Sequence, residues 1–246
     1  MRDWHIYKKI SSKNILIGST IKDNSFYNKF SLAIHTNDNK EQIIKNRKVF
    51  MSHFKGFKAV TMQQIHSDKI IDIDKYDILN GWVELPLEAD GFITTKRNIL
   101  LNIMTADCLA ILASDEENGV IGAAHAGWRG TKLKISKKLI LNMLNKGAKL
   151  ENIKCAISPG ICGKCYEVGQ DVIDNFNRYT DAIVKKDNGK FLFDNLKVNI
   201  TQLQELGINL NNIETTNYCT YCNNDKFFSY RGGDKKGRFV SFIALT

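Results

Sequence analysis

Only two prolines occur in 246 residues, and no stretch dense in Pro, Gly and Ser interrupts the chain, so nothing in it reads as a linker. One domain over residues 1–246 is the expected organisation, at 43% hydrophobic content. No apolar run approaches the ~20 residues that a membrane-spanning helix needs. The basic N-terminus, MRDWHIYKKISSKNILIGS, lacks the continuous apolar segment of an export signal. Both absences lead to the expectation of a cytoplasmic protein with no membrane partner. In that setting the six cysteines, at 108, 155, 162, 165, 219 and 222, read as thiols or metal ligands rather than disulfides. Internal repeats, low-complexity tracts and basic helices are also missing. The net charge of +9 is spread as scattered lysines among Asn and Ile, which describes a solvated surface with some benefit for anionic substrates and no nucleic-acid partner.

Short apolar runs at 100–104 (LLNIM), 109–114 (LAILAS) and 120–124 (VIGAA) have the length of buried strands. Two of them border polar residues of chemical interest: TADC at 105–108 ends in Cys108, and AHAGWRGT at 124–131 carries His125. A turn containing Gly127, Trp128, Arg129 and Gly130 follows, and then a helical pattern in which Leu133, Leu139, Ile140, Met143 and Leu144 share a face, closed by Gly147. Close backbone approach at glycine, unpaired N–H groups at a helix start and the guanidinium fork of Arg129 suit an anion such as phosphate; a tight turn with a surface arginine accounts for the same residues.

Upstream, TMQQIHSD alternates like a strand and places His66 before a Ser-Asp turn. His66, Cys108 and His125 together offer two imidazoles and a thiolate, a three-ligand zinc set that leaves a fourth position for water or substrate. Asp107, Asp90 and Asp68 are candidate carboxylates for fixing the imidazole tautomers.

At these residues the chain resembles the multicopper-polyphenol-oxidase-like family, described as purine nucleoside phosphorylases related to the laccase-domain-containing proteins. QQIHSD, EADGFITT, TADCLAIL, AAHAGWRGT, SPGICGKCYEVG and CTYCNNDKFFSYRGGDKKGR stand in the family's order, from about Asn46 and Arg47 to the C-terminus. The resemblance implies an α+β fold, mixed sheets in an α/β/β/α layered sandwich. It also implies a zinc ion on residues matching His66, Cys108 and His125, phosphorolysis of adenosine, inosine and methylthioadenosine, and possible adenosine deamination. Before residue 46 only Ser31, Leu32, His35 and Asp38 correspond, so substrate preference is expected to differ if that segment closes the pocket.

For phosphorolysis, Arg129 is the first candidate for holding phosphate, with Arg47, Arg231 and Arg238 behind it. Phe227, Phe228 and Tyr230, in the strand-like FFSY, are candidates for stacking a purine or for filling a core. Deamination would require a differently built site from the familiar zinc deaminases, because His125 is followed by Ala126 and Gly127 and two residues separate Pro159 from Cys162.

Four rival readings stand beside this one. Cys162/Cys165 and Cys219/Cys222 can make a four-thiolate structural zinc site, although the resemblance, which keeps only a cysteine matching Cys165, favours free thiols at a pocket edge. Cys108 activated by His125 could serve a cysteine hydrolase, for which some relatives' link to peptidoglycan-precursor editing is a precedent; His66 would then have no required part. Copper-dependent polyphenol oxidation is disfavoured by five histidines (5, 35, 53, 66 and 125), too few for a laccase-type centre, though copper can occupy a zinc site. A metal-stabilised binding module without turnover is the fourth. The remainder reads as scaffold: a helix carrying Val168, Val172 and Phe176, a second over 199–206 with Asn199 as N-cap and Gly207 at its end, a closing strand over 239–245, and Cys155 as a small buried hydrophobe.

Overall fold

The computed structural model describes residues 4–246. Two mixed sheets lie face to face. The first has the strand order β1 (Ile15–Ser19), β14 (Phe239–Leu245), β6 (Ile99–Thr105), β2 (Lys58–Gln63) and β4 (Trp82–Glu88). The second runs β13 (Ile213–Thr215), β9 (Lys154–Ile157), β7 (Leu109–Asp115), β8 (Val120–Ala126), β5 (Gly91–Thr94) and β3 (Ile70–Asp72). Val60, Leu101, Ile103 and Ile243 from one sheet interlock with Phe92, Ala110, Leu112 and Ile121 from the other, all fully buried. Each of the larger side chains, Ala110 apart, contributes roughly 1.5–3 kcal/mol relative to exposure.

The outer faces are covered by helices. Phe50 of α1 (Lys40–Ser52) and Phe54 just after it pack on Leu100, Phe242 and Ala244 of the first sheet. On the second sheet, Leu139, Ile140 and Met143 of α3 (Ile135–Asn145) and Leu203 of α5 (Asn195–Gln204) meet Ile93, Ile111, Ala124 and Ile157. This is the expected α/β/β/α layering: strands 99–105, 109–115 and 120–126 are buried along their whole length because each has a sheet on one side and a helix on the other. A small third sheet, β10 (Glu167–Val168), β12 (Phe191–Phe193) and β11 (Ile183–Lys185), carries its own apolar cluster with α4 (Gln170–Ile173).

Several local expectations are corrected. The helix after the Gly-Trp-Arg-Gly turn is two helices, since α2 (Trp128–Lys132) stops at Leu133 and Lys134 turns left-handed (φ 62°) before α3 begins. Leu133 is therefore 42% exposed, not on the buried face, whereas Gly147 does take the left-handed conformation past the helix end. Helix α5 starts four residues earlier than expected, with the Asp194 carboxylate accepting from Lys197 N; Asn199 lies mid-helix and donates to Thr131 Oγ1. The N-cap is thus Asp194 rather than the expected Asn199, both residues of the short polar type that caps helices. Val168, Val172 and Phe176 share a cluster, but only 170–173 is helical. FFSY forms no strand.

Candidate metal centre

Three chain crossings between the two sheets occur at one end of the sandwich. β2 leaves the first sheet and the chain enters β3 of the second; β4 leads likewise into β5, and β6 into β7. The crossings carry His66, Asp90 and Cys108, and β8 supplies His125 opposite Ala110 of β7. Residues distant in sequence meet there because each strand pair must change sheets at the same edge.

Asp90 organises the crossing. Its carboxylate is fully buried and accepts from the backbone N–H of Ile65 (3.2 Å), His66 (3.0 Å) and Ser67 (2.6 Å), from Ser67 Oγ (2.7 Å), and from His125 Nδ1 (2.8 Å). Convergence of three successive N–H groups on one anion holds His66 in the left-handed region (φ 62°), which a non-glycine residue adopts only when its surroundings enforce it. The Asp90–His125 bond holds a proton on Nδ1 and directs Nε2 to the trio, where release of the imidazolium's second proton frees its lone pair for a ligand. The Gln64 side chain both donates to Met104 O and accepts from Met104 N, each at 2.9 Å, extending the β2–β6 pairing up to the site.

One donor atom from each of His66, Cys108 and His125 lies within 4.8 Å of the others, with the imidazoles edge to face at 4.7 Å between centroids. Two imidazole nitrogens and a sulfur at this spacing fit a single metal ion. Gly127 closes one side so tightly that a Cβ there would stand 3.0 Å from both Cys108 Sγ and His66 Cδ2. Burial by itself would raise the Cys108 thiol, but the His125 imidazolium beside it and hydrogen bonds from both histidines bring it down to about 6. Burial likewise opposes charge on His125, and the Cys108 thiolate with Asp90 outweighs it, raising His125 to about 9. The thiolate a metal requires is thus already favoured.

The trio lies at the base of a cleft of about 460 Å³. Its walls include Arg129, Arg231, Arg238, Trp128, Tyr166 and Tyr230, and His35 also borders it. The arginines stack on the aromatics: Arg129 lies 4.3 Å from the Trp128 ring, Arg231 5.5 Å from Tyr166 and Arg238 5.7 Å from Tyr230. Burial raises the Tyr166 phenol above its usual range, so its hydroxyl stays a donor. Asp107, the carboxylate beside Cys108, is committed elsewhere: it accepts from Thr220 Oγ1, Ser229 Oγ and Arg231 N, each at 2.7 Å. Asp68 pairs with Lys138. Of the three candidate carboxylates, Asp90 alone bonds a candidate ligand imidazole.

Two proposed substrate residues are not brought to the cleft. Arg47 sits on α1, where its Nε donates to Leu32 O, a terminal nitrogen donates to Glu84, both at 2.8 Å, and its planar group covers Trp82. Phe228 is 1% exposed, pressed on one face by Gly237, where a Cβ would meet its Cδ1 at 2.1 Å, and approached by Lys22 Nζ at 5.0 Å. Both phenylalanines of FFSY fill core, and only Tyr230 reaches the cleft. Sequence reading overlooked Tyr166, Gln64 and Trp128 as wall residues. Tyr166 follows Cys165 directly, and Gln64 lies two positions before His66, but neither carries a pattern of its own.

The family model described as "Multi-copper polyphenol oxidoreductase laccase" matches residues 20–246. The chain belongs to this family. Within it, a purine nucleoside phosphorylase of Rickettsia prowazekii is 31% identical over 223 residues, covering 86% of this chain and 87% of that protein. A purine nucleoside phosphorylase of Clostridium acetobutylicum is 33% identical over 245 residues, 96% of this chain and 98% of the other. A protein of an unknown prokaryotic organism named adenosine deaminase RL5 is 33% identical over 193 residues, 75% of this chain and 74% of its own length. Among solved structures, the YfiH protein of Bacillus licheniformis superposes with a TM-score of 0.85 at 27% identity, over 94% of this chain and 93% of that one.

Proposed function

We propose that this protein is a zinc-dependent purine nucleoside phosphorylase, converting adenosine, inosine or methylthioadenosine and phosphate to the free base and the pentose 1-phosphate. The observation that carries the reading is the juxtaposition of the His66–Cys108–His125 set with three guanidinium groups in one cleft. Relatives named purine nucleoside phosphorylase, matched along nearly the whole chain, support it. Zinc suits two imidazoles and one thiolate, and the set leaves a coordination position open. When bound, the ion supplies Lewis acidity to an oxygen or nitrogen of the substrate.

The chain's own residues account for the rest. Asp90 keeps the His125 proton on Nδ1. Arg129, Arg231 and Arg238 hold the phosphate dianion, and as permanently charged donors they complement it without competing as nucleophiles. A phosphate oxygen attacks the anomeric carbon, and the N-glycosidic electron pair leaves with the purine, which takes up a proton. Trp128, Tyr166 and Tyr230 provide flat apolar surface for the base and limit water's access to the sugar.

Adenosine deamination is the second reading, supported by the relative named adenosine deaminase RL5. Hydrolysis by a Cys108 nucleophile with His125 as base is less well supported, because His66, whose backbone a buried carboxylate holds and whose ligand atom lies within 4.8 Å of those of the other two, has no part in that chemistry. Product analysis of purified, metal-quantified protein with adenosine, with and without phosphate, tests the proposal. Phosphate-dependent release of adenine upholds it; inosine formed equally in both conditions favours deamination; no reaction with any purine nucleoside refutes both.

A further inference from the structure

A second group of metal-ligating side chains lies outside the trio. Cys162 and Cys165 follow β9, and Cys219 and Cys222 follow β13. These strands are parallel neighbours in register Cys155 to Ile213, so both chains leave the sheet at the same end, and an isolated parallel bridge between Gly160 and Cys219 continues the pairing beyond it. Each Cys-x-x-Cys then folds into a tight turn: Cys165 N donates to Cys162 O and Asn223 N to Cys219 O, both at 2.9 Å. The turns face one another. Cys162 N donates to Cys219 Sγ at 3.3 Å, and Cys165 Sγ lies 3.4 Å from Cys222 Sγ.

All four sulfurs lie within 4.8 Å of one another. A tetrahedral ion with ~2.3 Å bonds to sulfur places its ligands about 3.8 Å apart, so small side-chain adjustments close the site. Hydrophobic burial does not explain the gathering, because Cys222 is exposed and Cys162 and Cys165 are only half-buried. Thiols are weak hydrogen-bonding groups, so mutual S–H contacts offer little reason for four of them to converge.

We propose that Cys162, Cys165, Cys219 and Cys222 bind one structural zinc ion, separate from the His66–Cys108–His125 set. With four protein ligands the site is closed and takes no substrate. Its effect is mechanical: it ties segment 161–166, which brings Ile161 and Tyr166 to the cleft, to the segment from 219 onward that brings Tyr230 and Arg231. Arg231 donates to Glu167 O, the residue that follows the first of these segments, at 2.9 Å. The proposal stands whatever reaction the cleft performs.

The test is metal analysis of the full chain, purified under reducing conditions, with His66 and Cys108 both replaced by Ala to remove the other set. About one zinc per chain is expected to remain, and cobalt substitution should give the sulfur-to-cobalt charge-transfer and visible bands of an all-thiolate tetrahedral site. Adding Cys165→Ser should abolish that zinc and lower the melting temperature. Metal-free protein of native circular dichroism, with all four thiols freely reactive, overturns the proposal. If the double variant fails to fold, cobalt titration of metal-depleted wild-type protein decides: two equivalents with all-sulfur bands support it, and saturation at one equivalent without them refutes it.

Discussion

Replacement of Asp90 by Asn probes how the candidate centre is organised, because the change is nearly isosteric and its cost can be counted. One carboxylate oxygen accepts from His66 N and His125 Nδ1, and the other from Ile65 N, Ser67 N and Ser67 Oγ. An amide nitrogen has two donors and no acceptor, so it must face one of these donor sets. Facing the first, it orphans His66 N and forces the His125 proton onto Nε2, the nitrogen a metal needs. Facing the second, it orphans the N–H groups of Ile65 and Ser67, since only the Ser67 hydroxyl can turn to accept. One or two unpaired, partly buried donors at ~1–3 kcal/mol each suggest a loss of about 1–6 kcal/mol. For a chain of this length, at about 2–4 °C per kcal/mol, the melting temperature should fall by roughly 2–24 °C. Metal affinity should drop by about 10–100-fold through the lost orientation of His125. The assays are thermal unfolding of metal-free protein by circular dichroism and zinc competition against a chromophoric chelator. Asp68→Asn is the control: its partner Lys138 is well exposed, so the cost should stay under ~1 kcal/mol with zinc affinity unchanged. An Asp90→Asn protein that melts within 2 °C of wild type and binds zinc equally would refute the reasoning.

Other outcomes follow from the same geometry. Cys108→Ala should remove both the metal held by the trio and turnover, and full activity in that variant would sink the zinc reading. Arg129→Ala is expected to raise the KM for phosphate well above its effect on the KM for nucleoside, measured by varying each substrate in turn. Leu139 is fully buried, and its Cδ1 would stand 2.8 Å from a Cβ at Gly122; Leu139→Ala should cost about 2–5 kcal/mol in urea unfolding without altering either KM. Burial pushes the Asp74 carboxyl up, but Lys146, Thr94 and Thr95 outweigh it and hold it well below the usual carboxylate range. A depressed folded value gives stability that is present above the unfolded value of ~4 and lost as pH falls through the folded one, so Asp74→Asn should flatten acid destabilisation below about pH 4. An unchanged acid limb in pH-dependent melting would contradict this.

Elements were legible where one physical cause dominated. The runs at 100–104, 109–114, 120–124 and 239–245 stand almost unaltered as strands, because residues buried on both faces must be continuously apolar. The start of α5 was not legible because Asp194 and Asn199 are both good N-caps and only the Asp194–Lys197 bond distinguishes them, and the break at Lys134 leaves the hydrophobic spacing on either side intact. Phe228 and Tyr230 lie two positions apart, yet one is core and the other borders the cleft, a difference set by Gly237 packing against the Phe228 ring.

The sequence by itself determined the donor types of the candidate centre and the family, since TADC and HAGWRG keep side-chain chemistry and local backbone together within a few residues. It also determined that Cys-x-x-Cys pairs exist. Only the tertiary structure decided that Asp90, rather than Asp68 or Asp107, bonds the His125 imidazole, that Arg47 is spent on Glu84, and that four cysteines converge. Those choices depend on where chains cross between packed sheets, and a crossing brings together residues that no local spacing relates.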